Sequence, residues 1–169
     1  MCSVSALPAL RRMLGHTMTI VSAIDLSLWI AASLDVVFDL SRSIDAHSAS
    51  MSKSAERAVG GTTEGHIELG EHVTWRARHF GFTFQMTSRI TEMDRPRRFV
   101  DEQVAGPFRH WRHVHSFEAE AEGTRMVDTI DYEVPYGLFG RAVDRLFLTR
   151  YLTNLIAQRN DFIKQAAES

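Results

Sequence analysis

The chain of 169 residues has one cysteine, four prolines and a formal charge of only −2. Each shortage removes a class of protein. Cys2 alone can close no internal disulfide, so the fold must hold without such staples, and a single thiol fits a reducing compartment. Nineteen Lys and Arg set against 21 Asp and Glu make no field that would gather nucleic acid. No run approaches the roughly 18–20 apolar residues of a membrane-crossing helix, which points to a cytoplasmic protein without a membrane span. Gly60-Gly61 lacks the Gly-x-Gly-x-x-Gly spacing of a dinucleotide loop and reads as a turn or bulge. What remains is 44% hydrophobic and 24% charged, ordinary for one folded domain. Less ordinary are its eight His and ten Phe.

Residues 1–18 are interrupted by Pro8, Arg11-Arg12 and Gly15-His16 and read as an appended tail, with Met18 as the expected start of translation. From Thr19, apolar residues alternate through Ile30, which is a long first strand. Ser33 then caps a short helix over Leu34–Leu40 that ends near Ser43, and residues 45–54 suit a second short helix or turn. Extended segments follow near 54–61, 64–69, 71–80, 82–93, 98–105, 109–121 and 124–134, divided by Gly and Pro turn signals into an antiparallel meander. A helix from about Gly137 to Ala167 closes the chain, its stripe including Phe147 and Tyr151. Helices segregated from strands in this way make an α+β protein.

Strand parity assigns faces. Val73, Trp75, Ala77 and His79 share one face, Phe82, Phe84, Met86 and Ile90 another, and Trp111, His113, His115 and Phe117 a third. Met126, Asp128, Ile130 and Tyr132 follow suit, so an apolar wall carries several ionisable groups that must meet one another, water or a ligand. Pairing Ala121 with Thr124 across the last hairpin would set Phe117 opposite Asp128, His113 opposite Tyr132 and His115 diagonal to Asp128. Asp101 and Glu102 face opposite ways, and parity leaves open which of them looks inward.

His113-Val114-His115 is the sharpest local signal, because imidazoles at i and i+2 point the same way, as a metal site or an acid–base pair requires. Glu120 falls on the opposite parity and no His follows His115, so neither a metal nor another cofactor is expected. Two readings stay open: acid–base catalysis by His113, His115 and Asp128, and polar residues satisfied inside a partly wet cavity.

The order of elements, together with Val73–Gly81, Arg98–Gln103 leading to Gly106-Pro107-Phe108, Trp111–Phe117 and Asp128–Pro135, resembles the SRPBCC superfamily. That superfamily includes START domains, the birch-pollen-allergen fold and a polyketide cyclase/dehydrase-like group. The resemblance spans residues 19–167 and implies a helix-grip fold, a curved seven-stranded antiparallel sheet wrapped around the long C-terminal helix. It also implies a cavity for a small hydrophobic molecule (lipid, polyketide, isoprenoid or aromatic) lined by Trp75, His79, Phe82, Phe84, Met86, Trp111, Phe117, Ile130, Tyr132, Phe147 and Tyr151. A cyclase/dehydratase-like enzyme and a protein-interaction module are the alternatives; neither ligand identity nor oligomeric state is legible.

Overall fold

The computed structural model describes residues 3–5, 11–14, 17–20, 22–135 and 147–169; of residues 3–20 and Lys53 it describes the backbone only. Strand β1 (Ser22–Ile30) leads through Ser33 into α1 (Leu34–Ser41) and α2 (Ile44–Ser50). Ser33 has the extended backbone of a cap, φ −65° and ψ 153°, but its side chain makes no capping bond, whereas the Ser43 hydroxyl accepts the Ala46 N–H at 3.2 Å. Six further strands run in sequence: β2 (Arg57–Gly61), β3 (His72–His79), β4 (Phe82–Asp94), β5 (Arg98–Ala105), β6 (His110–Glu120) and β7 (Gly123–Glu133). Helix α3 (Thr149–Ala167) ends the chain, and the expected helical residues 137–146 lie outside the described residues.

The strands form one antiparallel sheet in the order β1-β7-β6-β5-β4-β3-β2, so the meander closes with β7 beside β1. Ser3–Ser5 pairs along the outer edge of β1, and Arg11–Leu14 pairs with Thr17–Ile20 in a separate ribbon. The extended segment expected over 64–69 is not a strand. Its backbone is spent on the helices instead, the Ile67 N–H on the Arg42 carbonyl at 3.1 Å and the Gly65 carbonyl on the Ile44 N–H at 2.9 Å.

The β6–β7 register corrects the expected pairing. Glu120 pairs with Gly123 across a two-residue turn in which Ala121 is left-handed, φ 53°. A Cβ on Gly123 would lie 2.4 Å from the Ile30 carbonyl oxygen, so this glycine fits where β7 crosses the end of β1. The consequence is local and large: His115 faces Asp128 directly, His113 faces Ile130, and Phe117 faces Met126. Phe38 of α1 packs edge-on against Phe99 and Phe117, at 5.7 and 5.5 Å between ring centres, and seats the helix pair on the sheet. Phe38→Ala is therefore expected to cost about 3–5 kcal/mol in a urea titration; a loss under about 1 kcal/mol would mean that the helix pair is not anchored there.

Candidate functional site

Between the concave face of the sheet and α3 lies a cavity of about 350 Å³, within the range of small-molecule sites. Its walls are mostly apolar, with Ile67, Val73, Ile90, Leu152 and Ile156 among them, and two groups of paired polar side chains stand in the lining.

The deep end is built by three strands and the helix. On β6 the period of two buries Trp111, His113, His115 and Phe117, and the same period buries Met126, Asp128, Ile130 and Tyr132 on β7. Asp128 is completely buried. Its Oδ1 lies 2.8 Å from His113 Nε2 and 2.8 Å from His115 Nδ1, the latter out of line for a hydrogen bond, while Oδ2 accepts the Asn160 amide at 2.6 Å. Arg159 Nη1 stands 3.8 Å from Oδ1 and Nη2 donates to the Ser41 carbonyl at 2.7 Å, which ties α3 to α1. On β5, register sets Asp101 opposite His113, and Asp101 Oδ2 lies 3.1 Å from His115 Nε2 and 3.6 Å from His113 Nδ1. The imidazoles lie over one another with 3.7 Å between ring centres.

Burial by itself would raise the Asp128 carboxyl, but the His113 hydrogen bond and the two imidazoles close against it outweigh this and hold it well below the usual range. Asp101 is likewise held low against its burial by His115, His113 and Arg159. Burial pushes His113 down, His115 adds to this, and the two carboxylates only partly offset it. All three shifts have the same consequence for stability. Below its unfolded value of about 6.5, His113 takes up a proton more readily in the unfolded chain, and below about 3.8 both carboxylates do so too. The urea midpoint is therefore expected to fall as pH drops from 7 to 5 and to fall further below about 4; a midpoint flat from 7 to 4 would contradict this arrangement.

At the open end, Trp75 stacks on His47 at 4.2 Å, His47 Nε2 pairs with Glu56 at 2.7 Å, and His79 Nδ1 meets the Tyr151 hydroxyl at 2.6 Å. Burial would raise the Glu56 carboxyl, but His47 and then His79 bring it below its ordinary value. Burial lowers His79 and raises Tyr151.

The residues expected at the cavity divide into groups. Trp75, His79, Phe84, Met86, Trp111, His113, His115 and Tyr151 line it. Phe117, Ile130 and Tyr132 are buried in the core instead, because their part of the sheet is covered by packed side chains; the Tyr132 hydroxyl meets Thr149 Oγ1 at 2.8 Å. Asp128 lies behind the two imidazoles, outside the lining. Phe82 is 70% exposed and is not part of the wall. The β3–β4 turn, with Phe80 at φ 53° and Gly81 at φ 84°, lays Phe80 on Tyr151 and Phe147, at 4.7 and 5.2 Å, and leaves Phe82 outside. Phe147 itself is half exposed and lies outside the lining.

Asp101, Arg159, Asn160, Glu56 and His47 were not among the expected site residues. Arg159 and Asn160 carried a signal, since they sit between Ile156 and Ile163 on the stripe that faces the sheet, where polar residues need partners. For Asp101 parity offered two choices and no local rule between them.

The family model described as polyketide cyclase / dehydrase and lipid transport matches residues 30–157. No curated protein matches the sequence. Among solved structures, TTHA0849 from Thermus thermophilus is similar with a TM-score of 0.71 and 20% identity, over 87% of this chain and 99% of that one. Ginseng major latex-like protein 151 from Panax ginseng is similar with a TM-score of 0.65 and 16% identity, over 88% and 99% of the two chains. A START superfamily protein from Mycobacterium smegmatis follows with a TM-score of 0.65 and 11% identity, over 86% and 97%. At these identities the likeness is one of fold. It agrees with the helix-grip α+β architecture, and the family model agrees with the expected superfamily. Among the described residues no helix is long and apolar enough to cross a membrane.

Proposed function

The chain belongs to the polyketide cyclase / dehydrase and lipid transport family, and from that premise we propose that it binds one small, mostly apolar molecule carrying a polar oxygen function in the cavity between the sheet and α3. The observation that carries this reading is the cavity itself, apolar along its walls with buried Asp–His pairs at its deep end. Apolar walls supply affinity by removing ligand surface from water, and the few polar groups orient it. The space also favours a ligand over the interaction-module reading, which needs no internal volume.

Native mass spectrometry of the full chain, followed by organic extraction, tests the proposal. One equivalent of a retained apolar molecule is expected. Met86→Trp, which fills the lining from β4, is expected to reduce uptake of that molecule at least about tenfold with the fold retained, because overpacking a half-buried site costs only about 1–3 kcal/mol. Unchanged uptake in the folded variant would remove the cavity as the binding place.

A second reading is supported by the placement of His113. Its Nε2 is held by Asp128 at 2.8 Å while the ring lines the cavity, and its lowered basicity keeps it neutral and able to accept a proton at neutral pH. A ligand with an acidic C–H beside a carbonyl would then be turned over as well as bound. Turnover lost in His113→Ala with binding kept would support this reading, and equal turnover in the variant would end it.

A further inference from the structure

We infer that Asp101, His113 and His115 form a binding site for one divalent transition-metal ion with a coordination position open to the cavity. The three side chains come from adjacent strands and share one face: His113 and His115 stand at i and i+2 on β6, and Asp101 is paired with His113 across from β5. All three line the cavity, with one donor atom from each lying within 4.8 Å of the others. Ligand atoms held at about 2.0–2.2 Å around a tetrahedral ion lie roughly 3.4 Å apart. The separations from Asp101 Oδ2, 3.1 Å to His115 Nε2 and 3.6 Å to His113 Nδ1, bracket that value.

The proton inventory points the same way. A neutral imidazole has one N–H, yet His115 faces a carboxylate on both sides, Asp101 Oδ2 at 3.1 Å from Nε2 and Asp128 Oδ1 at 2.8 Å from Nδ1. Whichever nitrogen holds the proton, the lone pair of the other faces an anionic oxygen. Nδ1 is buried and has no hydrogen-bond partner. A cation between Asp101 and the two rings resolves this, because Nε2 of His115 and Nδ1 of His113 become ligands while the opposite nitrogen of each ring carries its proton toward Asp128. That is the outer arrangement usual for metal-bound histidine, with a carboxylate behind the ring, and Asn160 and Arg159 in turn hold Asp128.

Charge fits as well. With neutral imidazoles, Asp101, Asp128 and Arg159 sum to −1 in a nearly dry site, and a divalent ion with a bound hydroxide brings the sum to zero. The remaining position faces the cavity, where water or a carbonyl, enolate or hydroxyl oxygen can occupy it. The sequence offers no third ligand after His115, where no His follows and Glu120 falls on the opposite parity. The register supplies one before His113.

The test needs no organic ligand, so it stands or fails separately from the proposed function. Full-length protein freed of metal with a chelator is titrated with Zn²⁺ by calorimetry and with Co²⁺ by visible absorption. One equivalent of each is expected, with the intense Co²⁺ bands of a site of low coordination number. Asp128→Asn should weaken uptake about 10–100-fold and Asp101→Asn by more, while His110→Ala, exposed on the same strand, should leave it unchanged. No stoichiometric uptake, or uptake undiminished in folded Asp101→Asn, overturns the proposal. Should Asp101→Asn not fold, the Co²⁺-treated parent protein decides: paramagnetically shifted N–H resonances from two imidazoles support the site, and their absence overturns it.

Discussion

Asp128→Ala is expected to lower the unfolding free energy by about 3–5 kcal/mol, the loss seen when one partner of a buried charged cluster is removed. The carboxylate is fully buried and serves four groups at once, His113, His115, Asn160 and Arg159. Without it, buried donors on β6 and α3 face one another with no acceptor, and the helix loses its polar fastening to the sheet. Asp128→Asn keeps the shape and one acceptor oxygen, and should lose less. Urea unfolding followed by far-UV circular dichroism measures both, and a loss below about 1 kcal/mol for Asp128→Ala would mean that water replaces these bonds without cost.

The second large effect is a contrast between two positions that strand parity treats alike. Val73→Asp is expected to prevent folding, because Val73 is 4% exposed and packs in the main core cluster, where a new carboxylate would be buried among apolar side chains. Phe84→Asp is expected to leave the domain folded, since Phe84 is 37% exposed near the open end, and to weaken binding of an apolar probe at least about tenfold by wetting the wall. Soluble expression and the dispersion of amide resonances distinguish the two. A folded Val73→Asp, or an unfolded Phe84→Asp, would show that burial along β3 and β4 is distributed otherwise.

That contrast marks where parity stops being informative. Alternation placed Phe82, Phe84, Met86 and Ile90 on one face, and it was correct about the face. Burial along it changes from 70% exposure at Phe82 to 3% at Ile90 because the strand runs out beyond the material that covers its inner end. A period of two reports direction and carries no information about what lies opposite.

The alternating first strand, which begins at Ser22 rather than at the expected Thr19 because Thr17–Ile20 pairs in a separate ribbon, the helix pair directly after it, the punctuated meander and the amphipathic closing helix are local patterns. Each is dictated by the 2.0 or 3.6 residue period of its own segment, so the α+β order and the inward set on β6 and β7 were legible from the amino-acid sequence alone. The segment at 64–69 was misread because its backbone hydrogen bonds go to the helices, a non-local choice. Only the tertiary structure decided the site. A two-residue turn at Ala121-Glu122 moved His115 opposite Asp128, β5–β6 pairing turned Asp101 rather than Glu102 toward the imidazoles, and helix packing delivered Asn160 and Arg159 to the same carboxylate. The physical reason is that register and helix placement are set by energies summed over distant segments, and a slip of one residue in a strand reverses every side chain it carries.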